Sequence, residues 1–138
     1  MTTSLQLRRT LSHPPERVWR AFTDPTALAA WFWPARFATK AEIDLRVGGR
    51  YRIDAPGVGM AVSGAYLQID PPARLAFTWR WDSDSEETVV NVDLVPTEAG
   101  TELVITHDRF AGDSDRDNHA QGWEDCLDRL PGWLSAHT

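Results

Sequence analysis

The stretch NHAQGWEDCLDRL, residues 118–130, decides how this chain folds, because it supports two opposed readings. It gathers a histidine, acidic side chains and the only cysteine, which are the residue types of metal and catalytic centres. It also repeats with the 3.6-residue period of a helix. At 100° per residue, His119, Trp123, Cys126, Leu127, Leu130 and Leu134 share one broad stripe, while Gln121, Glu124, Asp125 and Asp128 fall opposite. The histidine and cysteine therefore turn inward and the carboxylates face water. Zinc needs three or four converging ligands. His119 and Cys126 stand two turns apart, ~10 Å along the axis, so no metal site is expected. Cys126 has no base beside it and reads as a small buried hydrophobe rather than a nucleophile. Gly122 costs a helix about 1 kcal/mol relative to alanine. Its bare face either packs closely on a neighbour or admits a ligand.

Outward from this stretch, the helix is expected to start with Ser114 as its cap, with Asp115 and Asp117 in the first turn, and to run to about Ala136. Pro131 removes a backbone donor and is a candidate kink. Upstream the period drops to two. TVVNVDLVP and TELVITHDRF form a hairpin about TEAG. RLAFTWRW sets Leu75, Phe77, Trp79 and Trp81 against Arg74, Ala76, Thr78 and Arg80. MAVSGAYLQID, RYRID and RFATKAEIDL precede it, the last with Phe37, Thr39, Ala41 and Ile43 on one face. Turns at VGG (47–49), APGVG and PPA (71–73) join these strands, which favours one antiparallel sheet. SLQLRRTL (4–11) is a first strand. HPPERVWRAFTD and TDPTALAAWFW are short helices, the second capped by Thr23 or Asp24 with Pro25 just inside. The predicted architecture is α+β: strand, two helices, six strands, one long helix, with the curved antiparallel sheet wrapped around that last helix as a single domain over residues 1–138.

Composition narrows the function. A chain of 138 residues with net charge −6 and scattered cations is a poor nucleic-acid binder. Its one cysteine implies no disulfide, and no apolar run approaches the ~20 residues of a membrane span. The opening MTTSLQLRRTLSHPP has no apolar leader core, so a cytoplasmic protein is expected. The acidic loop DSDSEE lacks the spacing and glycine of a calcium loop. No cofactor is expected. The seven tryptophans, at 19, 31, 33, 79, 81, 123 and 133, either fill the core or line a cavity for an apolar ligand.

If Leu103 and Ile105 point into the grip, so does His107, which then faces His119 near a cavity mouth. Such a pair either bonds to backbone groups or does acid–base work. Candidate lining residues from the strands are Phe37, Tyr51, Ile53, Phe77, Trp79, Val90, Val92, Ile105 and His107. The long helix adds His119, Gly122, Trp123 and Cys126, and Trp31 and Trp33 on the second helix are candidates for the rim.

PPERVWRAFTDPTALAAWFWP, DLRVGGRYRID, GAYLQIDPPARLAFTW, TELVITHDRF and HAQGWEDCLDRL together resemble the bacterial single-domain relatives of the heat-shock-protein-90 ATPase activator. These belong to the START/polyketide-cyclase/birch-pollen-allergen (SRPBCC) superfamily, and the likeness covers almost the entire chain. It implies the helix-grip fold with an internal cavity suited to an apolar small molecule, and no agreed catalytic residue. The family's recurring histidine, glycine and tryptophan correspond to His119, Gly122 and Trp123. Nothing here corresponds to the N-terminal domain of the eukaryotic co-chaperone, which counts against a chaperone partner. Three functions follow for comparison. The first is a binding module for a hydrophobic or amphipathic ligand. The second is a cyclase- or hydrolase-type enzyme using His107, His119 and Tyr51. The third is a co-chaperone or stress-associated adaptor presenting WFWPARF (31–37) as an exposed strip. A homodimer is compatible with all three.

Overall fold

A computed structural model describes residues 3–137. The elements run β1 (Thr3–Leu11), α1 (Pro15–Thr23), α2 (Pro25–Trp31), a 3₁₀ turn (Ala35–Phe37), β2 (Lys40–Ile43), β3 (Arg50–Ala55), β4 (Met60–Asp70), β5 (Arg74–Trp81), β6 (Thr88–Thr97), β7 (Gly100–Phe110) and α3 (Asp113–Ala136). All seven strands form one antiparallel sheet in the order β1-β7-β6-β5-β4-β3-β2. Five consecutive hairpins build the meander, and β1 closes it by pairing with the last strand. The chain therefore has the α+β helix-grip architecture, with the long helix lying on the sheet.

Local chemistry explains the helices. Pro15 and Pro25 fix the first-turn backbone of α1 and α2 at a position where the missing N–H is not needed. Asp24 caps α2 by accepting from the Ala27 amide at 3.1 Å. Val18, Ala21 and Phe22 on α1, and Ala27, Leu28 and Trp31 on α2, form the buried faces. The α3 stripe is buried at Trp123, Cys126, Leu127, Leu130 and Leu134, with Gln121, Glu124, Asp125 and Asp128 exposed. Two expectations need correction. The cap of α3 is Gly112, which has no side chain to offer, and Ser114 lies inside the first turn beside Asp113 and Asp115. Phe37 is not on a strand. It ends the 3₁₀ turn, and β2 begins only at Lys40.

That turn is held by a tertiary contact. The Gly57 amide donates to the Phe37 carbonyl at 2.9 Å, and a Cβ on Gly57 would collide with the Arg36 and Phe37 backbone. The β3–β4 turn thus pins Phe37 in place. A second glycine works differently. Tyr51 faces Gly64 across β3 and β4, and its hydroxyl donates to the Thr78 carbonyl of β5 at 2.6 Å. A Cβ on Gly64 would collide with the backbone of that same Thr78, so the bare position is what lets β5 approach β4 this closely.

Arg129 ties the helices together. Its guanidinium donates to the Trp31 carbonyl at 3.1 Å and to the Phe32 carbonyl at 2.8 Å, closing the last turn of α2 from the α3 side. Asp125 orients it at 2.8 Å. Arg129→Met keeps the aliphatic stem and strands both carbonyls. The expected result is a loss of about 2 kcal/mol in urea unfolding, the scale of hydrogen bonds to a charged group. An unchanged midpoint would assign the clamp no energetic role.

Candidate functional site

The interior of the grip is divided by a wall of aromatic rings. Trp79 of β5 and Trp123 of α3 meet with centroids 5.6 Å apart, and Phe32 packs on both, at 6.1 Å and 5.6 Å. On one side of this wall Phe22, Leu28 and Phe32 reach down to Tyr51, Ile53 and Phe77, leaving a void of only about 20 Å³. On the other side, under the first half of α3, lies an open cavity of about 420 Å³. The two short helices plug one half of the groove, and the other half stays empty.

The open cavity brings together Trp33, Phe37, Trp79, His119, Gly122, Trp123 and Cys126 from among the expected residues. It also recruits Phe32, Pro34, Met60, Trp81, Asn118 and Asp125. Trp81 carried a usable signal, since it alternates with Trp79 on the inward face of β5. Met60 opens a strand, and Phe32 follows the helix end, so neither had a period to mark it.

The remaining expected residues lie elsewhere. Trp31 is 1% exposed, and its indole N–H donates to the Ala21 carbonyl at 2.9 Å. It follows Leu28 by one helical turn and so belongs to the buried stripe of α2 rather than to a rim. Tyr51, Ile53 and Phe77 border the small void. Val90, Val92 and Ile105 sit in the solid core with Leu127, Leu130 and Leu134. The expected exposed strip at 31–37 is not exposed at its aromatic end, since Trp31, Phe32 and Trp33 are all buried.

The histidines form two parallel relays. His107 is fully buried, and its Nδ1 accepts the Trp123 indole N–H at 3.0 Å. Its Nε2 therefore carries the proton and donates to Thr88 Oγ1 at 2.6 Å, and the Thr88 hydroxyl donates to the Trp79 carbonyl at 3.2 Å. His119, half-buried at the cavity wall, accepts the Trp81 indole N–H on Nε2 at 2.9 Å. Its Nδ1 donates to the Asp115 carbonyl at 2.7 Å. The imidazole centroids are 5.3 Å apart. All four ring nitrogens are thus committed, to two indoles, the Thr88 hydroxyl and the α3 backbone.

Burial, reinforced by the nearby His119, pushes the His107 pKa down to about 3. The ring stays neutral at ordinary pH and is sealed behind Trp123. Tyr51 does not join the histidines. Its hydroxyl is spent on Thr78, and desolvation followed by the Tyr66 hydroxyl raises its pKa well above the usual value. The three groups required for acid–base chemistry do not converge. Burial likewise pushes the Cys126 thiol up to about 12, against the lowering influence of Arg129. That thiol is a poor nucleophile. Among the described residues no three His, Cys, Asp or Glu side chains gather into a metal-ligating group, and no helix is long and apolar enough to cross a membrane.

The family model described as Activator of Hsp90 ATPase homolog 1-like protein (AHSA1) matches residues 12–135. Among solved structures, a Chromobacterium violaceum protein is 34% identical, with 95% of this chain and 96% of that one covered and a TM-score of 0.82. A Mesorhizobium loti protein is 27% identical over 99% of each chain, with a TM-score of 0.87. The AHSA1 protein of Silicibacter pomeroyi is 26% identical over 99% of this chain and 100% of its own, with a TM-score of 0.81. Comparison with curated proteins finds no match.

Proposed function

This chain belongs to the activator of Hsp90 ATPase homolog 1-like family, and from that membership together with the cavity under α3 we propose that it is a small-molecule binding module for a hydrophobic or amphipathic ligand. One observation carries the reading. Gly122 stands mid-helix on the cavity wall, where a Cβ would meet nothing within 4 Å. A helix interior gives up about 1 kcal/mol for glycine, and no packing partner here requires it. What the missing side chain preserves is empty space. Walls of Trp33, Phe37, Trp79, Trp81 and Trp123 suit apolar contact, and about 420 Å³ lies within the roughly 300–1,000 Å³ range of small-molecule sites.

The two substitutions at this position separate stability from binding. Gly122→Ala is expected to raise unfolding free energy by about 0.5–1 kcal/mol, since the methyl meets no obstacle. Gly122→Leu projects a branched chain into the cavity and is expected to abolish fluorescence enhancement of N-phenyl-1-naphthylamine, an uncharged apolar dye, while the protein stays folded by circular dichroism. Failure of the wild-type protein to enhance the dye, with no species retained in native mass spectrometry and no thermal shift from an apolar panel, overturns the binding reading.

A further inference from the structure

The aromatic cavity has a polar neighbour. Met60 and Trp81 belong to its wall and also to the wall of a second cavity of about 470 Å³. The second cavity is lined by Lys40, Arg52, Asp54, Asp82 and Ser83 among others. Two adjoining spaces that share one flexible thioether and one indole in their walls suit a molecule with two unlike ends.

The charges in the polar cavity are not equivalent. Arg52 is ion-paired on both sides: its Nε reaches Asp54 Oδ1 at 3.0 Å and Oδ2 at 3.2 Å, and its two terminal nitrogens take both oxygens of Asp82 at 3.1 Å and 2.6 Å. Both carboxylates are thereby occupied. Lys40, the only lysine in the chain, lies opposite Asp54 in the β2–β3 register. Among the described residues its ammonium takes part in no hydrogen bond or ion pair, and Asp54 is paired with Arg52 instead. Two positive and two negative groups line the cavity, and among the described residues the one left without an ion-pair partner is a cation. The aromatic cavity contains no cation at all in its wall, and Asp125 is its only charged member.

We propose, building on the binding reading, that the ligand is an amphipathic anion. Its apolar, ring-bearing body fills the aromatic cavity, and its anionic head passes Met60 and Trp81 to meet Lys40. Charge-assisted contact with one ammonium supplies orientation, and its contribution falls with ionic strength because Lys40 is exposed.

The test uses two probes with one body, 4-(2-naphthyl)butanoate and 4-(2-naphthyl)butan-1-ol, titrated calorimetrically at low salt. The wild-type protein is expected to bind the carboxylate roughly tenfold more tightly than the alcohol. Lys40→Met is expected to abolish that preference, and Lys40→Arg to retain it. Equal affinity for the two probes in the wild-type protein overturns the proposal, as does a preference that survives Lys40→Met. If the probes bind alike and both are lost in Gly122→Leu, the anionic head is wrong and the aromatic cavity remains a binding site. If neither probe binds the wild-type protein, both readings fall.

Discussion

Trp123→Ala is expected to lower unfolding free energy by about 3–5 kcal/mol, read as a drop in the urea midpoint at unchanged slope. The indole is 3% exposed and packs on Phe32, Trp79 and His107. Its removal merges the small void with the open cavity and breaches the wall between them. Packing and hydrogen bonding separate in a second variant. Trp123→Phe keeps most of the ring but withdraws the N–H from His107 Nδ1, leaving a fully buried acceptor without a partner. That orphaned nitrogen is expected to cost about 1–3 kcal/mol. A phenylalanine variant as stable as wild type would show that the relay contributes no net stability.

The second large effect is a pH dependence. Folded His107 titrates near 3, while an unfolded histidine titrates near 6.5. Between those values the unfolded chain carries one more proton than the folded one. Stability from this residue is therefore complete above about pH 6.5 and is lost as pH falls towards 3. The slope approaches 1.4 kcal/mol per pH unit, so about 3 kcal/mol disappears between pH 6.5 and pH 4. His107→Gln supplies one acceptor for Trp123 and one donor for Thr88 and does not titrate. Chemical denaturation at several pH values is expected to give a shallower profile for this variant, the difference from wild type isolating His107 from the carboxylates. Parallel profiles would mean that the folded histidine titrates normally.

Local periodicity sufficed for the fold. Alternation along β5 and β7, the stripe on α3 and the proline–aspartate signals of α1 and α2 arise from neighbours in sequence, so they can be read from sequence. The division of the interior could not be read that way. Tyr51, Ile53 and Phe77 do point inward as their period demands, but Phe22, Leu28 and Phe32 arrive from other elements to fill the space in front of them. Inward orientation and cavity lining are different properties, and only the second depends on what stands opposite. Phe37 shows the same limit. Its alternating neighbours imply a strand, yet the Gly57 amide, twenty residues downstream in the chain, holds it in a 3₁₀ turn. Gly122 lay at the boundary, since sequence identified an unfavourable helix residue but not whether the space beyond it was full.

The position of β1 has a kinetic consequence. Its one partner in the sheet is β7, with Leu5 aligned to His107, a loop closure of about a hundred residues. The hairpins from β2 to β7 can assemble in order as neighbours meet, whereas β1 must wait for the final strand. Pairing so distant in sequence raises contact order and slows folding. During synthesis the first strand therefore leaves the ribosome with its hydrogen-bonding edge unmet until residues 101–110 follow, and the closing of that edge completes the sheet beneath α3.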